Sequence, residues 1–235
     1  MSLHGKIVKT QSLSEKETEP MYALMETYYD DMNRDAFLRD LNDKDACILL
    51  LDASGAVKGF STQKVIHVEA EGETVSGVFS GDTIIHRDDW GSLELYRTFA
   101  RHFLETGRQY SDFYWFLISK GYKTYKILPL FFNEFYPRNR IKIPAREQAL
   151  MHAFGSGRYP GEYNSTSGVI EYREIKDKLK EGVADIGEKH LRNEHIAFFV
   201  QENPGYSKGD DLVCLARLDE TNLNRTAHRL LLGKR

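Results

Sequence analysis

The chain is short of cysteine, of long apolar runs and of any charge excess. Two cysteines among 235 residues cannot make a disulfide framework. Cys47 and Cys214 each sit inside an apolar, strand-like run, "ACILLLD" and "LVCLARL". Reduced thiols and a cytoplasmic location are therefore expected. No apolar stretch approaches the ~18–20 residues of a transmembrane helix, and "MSLHGKIVKTQ" has no apolar signal-peptide core. The 32 Lys and Arg stand against 35 Asp and Glu, for a net charge of -3. Basic and acidic residues interleave, so a nucleic-acid partner has little electrostatic support.

Several chemical signatures are also missing. Eight histidines are present, but no HExxH and no Cys-His group with zinc spacing, so no metal site is expected. There is no GxSxG, no GxGxxG and no GKS or GKT step, which removes the common serine-hydrolase and nucleotide-binding fingerprints.

What is there is a core. Hydrophobic residues make up 41 %, with 13 Phe and 13 Tyr, enough to exclude wholesale disorder. A strand is expected at 6–9 and helices at 19–29 and 33–42, where Met21, Leu24, Met25 and Tyr28, then Phe37, Leu38 and Leu41, recur at helical spacing. "ACILLLD" (46–52), "VKGFSTQKVIHVE" (57–69) and "VSGVFSGDTIIH" (75–86), joined by short turns, predict an antiparallel three-strand meander. Gly77 and Gly81 inside the last strand point to a bulge or a close backbone approach. A strong helix is expected at 91–106, then an aromatic strand at 112–119, and a helix between two strands implies a crossover to a parallel neighbour. Residues 120–138 read as partly helical, broken by Pro129 and ended by Pro137. A helix at 144–154 opens on a proline, and 155–168 reads as a long loop. "HIAFFVQ" (195–201) and "DLVCLARL" (211–218) read as two closing strands.

This order of elements resembles the GNAT superfamily of N-acyltransferases, over roughly residues 5–137 and 195–218. The fold class implied is α/β, a GNAT-like mixed central sheet flanked by helices. Residues 1–235 form one domain, with 139–190 as an inserted, lid-like segment before a final β-hairpin. In that family a strand ending in Val-x-Pro runs into Arg/Gln-x-x-Gly-x-Gly/Ala and a helix, whose N–H groups cradle the pyrophosphate of coenzyme A. A helix start suits that task, because its amides are unpaired and its dipole end is positive. Here "IIHRDDWGSLELY" holds that place, with one glycine of the pattern and two added acids. Asp88 or Asp89 would cap the helix, and either would repel a pyrophosphate.

The resemblance implies a coenzyme A thioester donor near Ile84, Ile85, His86, Trp90, Gly91 and Ser92. It implies a tyrosine near the end of the helix after the fifth strand, protonating the departing thiolate: Tyr136 in "FFNEFYPR", with Tyr125 and Tyr122 as rivals. Ser80 and Asp82 fall on one face by alternation, so Asp82 is a candidate base or amine-binding group. The function implied is transfer of an acyl group from an acyl-CoA or acyl-carrier protein to an amine. The alternative is a GNAT-shaped protein that binds a ligand or partner without catalysis. Self-association as a homodimer is a further role open to 139–190.

Overall fold

The computed structural model describes residues 3–173 and 177–234. In chain order they form β1 (His4–Lys9), α1 (Glu15–Tyr28), β2 (Tyr29–Asp30), α2 (Arg34–Asp43), β3 (Ala46–Leu51), β4 (Val57–Ala70) and β5 (Glu73–Ile85). Next come α3 (Glu94–Gly107), β6 (Phe113–Ser119), α4 (Tyr122–Tyr125), α5 (Ile127–Phe131) and α6 (Ala145–Arg158). The remainder is β7 (Tyr163–Asn164), β8 (Val169–Ile170), β9 (Lys178–Leu179), α7 (Glu188–Leu191), α8 (Glu194–Glu202), β10 (Asp211–Arg217) and α9 (Arg225–Leu231).

Eight strands make one mixed sheet in the order β1-β3-β4-β5-β6-β10-β8-β7. Its pairs are antiparallel except β5–β6, which are parallel and joined through α3, as a helical crossover requires. The meander β3-β4-β5 is present as expected.

Alternation along the strands sends side chains to two faces. On one face Ile48, Leu50, Val78 and Trp115 pack against Phe99 and Phe103 of α3, Leu128 of α5, Phe199 of α8 and Ala227 of α9. The other face is covered in two pieces. Met21, Leu24, Phe37 and Leu41 of α1 and α2 lie on Cys47, Leu49, Phe60 and Ile84. Leu150, Met151 and Phe154 of α6 lie on Val75, Phe79, Phe116 and Val213. Both thiols are buried inside these layers.

Two sequence expectations change. The segment 195–201 is a helix, not a strand, and β10 pairs with β6 and β8 instead of closing a hairpin with it. A short apolar run carries both periods. Here Ile196 and Phe199 are buried, and the Asn193 side chain accepts from the His195 and Ile196 amides to start a helix. The "GSGR" at 155–158 is the last turn of α6, not loop. The segment 139–190 supplies α6, which builds core on one face, and β7 and β8, which extend the sheet edge.

Candidate functional site

The site follows from a mismatch between two strands. β5 and β6 pair in parallel only from Ser76–Phe113 to Ser80–Leu117. β5 then continues to Ile85 on its β4 side alone, so the two strands part and open a cleft. A bulge marks the parting. Gln63 pairs with Ser80, but Ser61 pairs with Thr83, so β5 spends one more residue than β4. Glycine is required there: a Cβ on Gly81 would stand 2.6 Å from Thr62 Oγ1 and 2.9 Å from Lys44 Cε.

The bulge has two consequences. It breaks the alternation that would set Ser80 and Asp82 side by side. Ser80 is buried, donating to Gln63 Oε1 at 2.8 Å and accepting from Trp115 Nε1 at 2.8 Å, whereas Asp82 lines a hollow. It also sets which amides look into the cleft. The His86 amide donates to Lys58 O of β4 at 2.7 Å. By antiparallel alternation the amides of Ile85 and Thr83 then face away from β4, toward the departed β6.

Two cavities meet at this parting and share Tyr29, Thr83, Lys120 and Thr124. The first, of about 260 Å³, lies between the two helix groups of its face and is lined by Asp31, Asp40, Asp82, Asp177 and Asp211, with Lys120. Lys120 Nζ stands 3.1 Å from Asp177 Oδ2 and 3.9 Å from Asp211 Oδ2, and donates to Asp177 O at 2.8 Å. The Tyr172 hydroxyl donates to Asp211 Oδ2 at 2.8 Å. Burial, reinforced by Asp40 and Asp177 and opposed by Lys44 and Lys120, pushes the Asp82 carboxyl up to about 7. Burial pulls the Lys120 ammonium down, but Asp211, Asp177 and Asp82 outweigh it and hold the group above its usual range. Burial, then Asp82, Asp177 and Asp211, raise the Tyr29 phenol well above its ordinary value.

The second cavity, of about 600 Å³, is an apolar channel. Its walls come from Ile84, Ile85, Trp90, Leu93 and Tyr96 on one side and Ile127, Leu130 and Phe131 on the other, with Leu179, Val183 and Ala184 above. A volume of this size takes an extended small-molecule arm.

Of the residues expected to hold a donor, Ile84, Ile85, Trp90 and Ser92 line the channel, while His86 and Gly91 lie outside its lining. The turn itself differs from a phosphate cradle. Several of its amides are bonded within the fold: Arg87 N donates to the Tyr28 hydroxyl, Asp89 N to His86 O, Trp90 N to Arg87 O, Ser92 N to Asp89 O and Glu94 N to Ser92 Oγ. Trp90 Nε1 donates to Ile85 O at 2.8 Å. Neither aspartate caps α3, which starts at Glu94 behind Ser92; Asp88 is exposed and 3.6 Å from His86.

Of the three tyrosines proposed, Tyr122 lines the channel, and the other two are elsewhere. Tyr125 is fully buried among Phe135, Phe198 and Phe199, and its hydroxyl donates to Pro137 O at 3.0 Å. Tyr136 pairs with Leu215 of β10 and borders a separate hollow with Tyr114 and Arg146. Neither lines the cleft. Among the described residues, no group of three or more His, Cys, Asp or Glu could hold a metal ion.

No protein-family model and no curated protein matches the chain. Solved structures similar to it do exist. A GNAT family N-acetyltransferase from Escherichia coli in complex with CoA is 15 % identical over 51 % of this chain and 65 % of its own, with a TM-score of 0.38. A conserved protein of unknown function from Enterococcus faecalis, a probable N-acyltransferase, is 11 % identical over 57 % of this chain and 33 % of its own, with a TM-score of 0.42. A Trypanosoma brucei acetyltransferase is 14 % identical over 60 % of this chain and all of its own, TM-score 0.39. The match thus spans less than two thirds of the length of the first two.

Of the residues lining this hollow, the sequence had singled out Asp82 but not Tyr29, Asp40, Lys120, Asp177 or Asp211. Lys120 directly follows β6 and Asp211 opens β10, positions where a strand end meets a cleft. No spacing in the sequence links them to Asp82.

Proposed function

We propose that the chain is an N-acyltransferase that moves an acyl group from a thioester to a cationic amine. The observation that carries this is the meeting of an apolar channel and an acidic hollow at the bulge in β5, where Asp82 and two cleft-facing amides stand together. The thioester arm lies in the channel with its carbonyl at the parting of β5 and β6. The Ile85 and Thr83 amides donate toward the oxygen that becomes negative during attack, where a preorganised donor is worth most. The amine enters through the hollow, whose surplus of carboxylates favours a cation.

An ammonium must lose a proton before it can attack. Asp82, with its carboxyl pushed up to about 7, is poised to take that proton near neutral pH. The amine nitrogen then bonds to the carbonyl carbon and the carbon–sulfur bond breaks; the nitrogen's second proton passes to the departing sulfur, the Lys120 ammonium stabilises the negative charge on that sulfur as it forms, and Asp82 releases the first proton to solvent. Tyr125 and Tyr136 take no part in this scheme because neither reaches the cleft.

The test is release of free thiol from acetyl-CoA and longer acyl-CoAs against a panel of cationic and neutral amines. Thiol release should require a cationic amine and should rise through about pH 7. A protein that binds the thioesters yet releases no thiol with any amine would overturn the assignment in favour of a binding role.

A further inference from the structure

A row of polar side chains crosses three strands beside the bulge. Trp115 Nε1 of β6 donates to Ser80 Oγ of β5 at 2.8 Å, and Ser80 Oγ donates to Gln63 Oε1 of β4 at 2.8 Å. Gln63 Nε2 donates to Ser61 Oγ at 2.7 Å, and Ser61 Oγ stands 2.7 Å from Thr83 Oγ1, back on β5. Trp115, Ser80, Gln63 and Ser61 are buried, and Thr83 lies half-buried where the two cavities meet. Burying polar side chains is costly unless each is paired, and apolar ones would join the strands as well. What the polar row adds is a direction.

The direction is fixed at Trp115, because an indole N–H can only donate. Ser80 Oγ accepts from it, so the Ser80 proton goes to Gln63 Oε1, an atom that only accepts. Gln63 Nε2 only donates, so Ser61 Oγ accepts there. Among the described residues, Ser61 Oγ has no partner besides Gln63 and Thr83, so its proton is paired only if Thr83 Oγ1 accepts it. The Thr83 proton is thereby turned away from Ser61. Its one acceptor among the described residues is Gly81 O at 3.4 Å, beyond the ~2.5–3.0 Å of a good O–H···O bond. Trp115 and Ile85, two residues on from Thr83, pack in the layer under α3 and α5, so alternation puts Thr83 Oγ1 on the channel face of the sheet. Asp82 lines the hollow on the other face.

With the carbonyl oxygen at the amides in the plane of the sheet, the sulfur that joins it to the arm lies on the channel face. Building on the acyl-transfer reading, we infer that Thr83 is a further catalytic residue whose hydroxyl donates a hydrogen bond to the donor's sulfur as the carbon–sulfur bond breaks, and that Trp115, Ser80, Gln63 and Ser61 are positioning residues that commit it to donate. Thr83 keeps its own proton throughout, and the sulfur is protonated by the nitrogen's second proton. A thioester sulfur is a weak acceptor and a thiolate a strong one, so this contact strengthens toward the transition state.

The test pairs thiol-release kinetics, taken per folded molecule, with calorimetric binding of CoA and S-methyl-CoA. Thr83→Val keeps the branched shape. It should lower kcat about ten- to hundredfold, the worth of a hydrogen bond to a charged group, and move the acyl-CoA KM by less than about twofold. Thr83→Ser should bring kcat back to within about threefold of the wild type. Ser61→Ala should cost part of that loss by itself and nothing more in the Thr83→Val background. Near pH 9, where a thiol of pKa ~8.5 is mostly ionised, Thr83→Val should weaken CoA about tenfold and S-methyl-CoA less than about twofold. An unchanged kcat in Thr83→Val, a fall shared by Thr83→Ser, or equal effects on CoA and S-methyl-CoA would overturn the assignment of Thr83. Additive losses for Ser61→Ala and Thr83→Val would overturn the part given to the row. The two readings fail separately. Thiol release untouched by Thr83→Val keeps acyl transfer and removes Thr83, whereas selective weakening of CoA in a protein that releases no thiol defeats acyl transfer and keeps the contact between Thr83 and sulfur.

Discussion

The acidic hollow and the apolar channel are walled in part by the same four residues, Tyr29, Thr83, Lys120 and Thr124, yet they are opposite solvents. The hollow holds five carboxylates around Lys120. The channel is lined mostly by aromatic and aliphatic side chains, with Lys120, Lys123 and Lys126 among them. One break in the pairing of β5 and β6 produces both, because each strand end has lost its neighbour and can be lined from either face. A polar nucleophile and a thioester can thus approach one carbonyl from environments suited to each. The difference teaches where to perturb: a change in one cavity should leave the other's ligand alone.

The largest separation should come from Asp82→Asn. It should lower thiol release by about 10²–10⁴-fold, the usual span for a lost general base, with donor affinity within twofold (~0.4 kcal/mol) of the wild type. Equal loss of donor binding would show that the cavities are not independent. Blocking the channel with Ala184→Trp should do the converse, weakening CoA by more than roughly tenfold while thermal stability stays comparable.

The pH dependence sharpens the same contrast. The folded-state pKa of Asp82 is raised, from 3.8 to about 7, so the folded protein holds a proton that the unfolded chain releases. The stability tied to this group is fully present below 3.8 and is lost as pH rises to about 7. Activity should rise over the upper part of that window, as stability falls. At pH 8, Asp82→Asn should gain about 1–3 kcal/mol, the solvent-facing side chain reducing the full linkage value. A destabilised Asn variant would mean that Lys120 depends on the Asp82 charge more than burial opposes it.

Smaller effects test the excluded tyrosines. Tyr125→Phe should cost about 1 kcal/mol, for the lost hydrogen bond to Pro137 O, and Tyr136→Phe less. Neither should change thiol release per folded molecule by more than about twofold, a difference of ~0.4 kcal/mol in activation free energy. A hundredfold fall in either would return the proton-donor role to a tyrosine.

Much of the frame was legible along the chain. The meander, the crossover through α3 and the helices α1 and α2 rest on clear patterning, α6 on the proline at its start, and their boundaries moved by only a few residues. The bulge was signalled by Gly81, because a glycine within a strand pattern marks a place where a side chain has no room. The helix α8 was not legible, because seven mostly apolar residues satisfy either period and the Asn193 cap decides between them. Asp82 was singled out by an alternation that paired it with Ser80, and that pairing fails at the bulge.

The sequence by itself determined the meander, the parallel pair across α3, the bulge glycine and the absence of metal and nucleotide motifs. These depend on neighbours within a few residues. Only the tertiary structure decided that Tyr125 donates into the core, that Arg87 N of the "RDDWGS" turn donates to the Tyr28 hydroxyl, and that Asp40, Asp82, Lys120, Asp177 and Asp211 share one hollow. Those are contacts between segments up to about a hundred and seventy positions apart. They are fixed by how the strands diverge and the helices cover them, and local propensity carries no term for that.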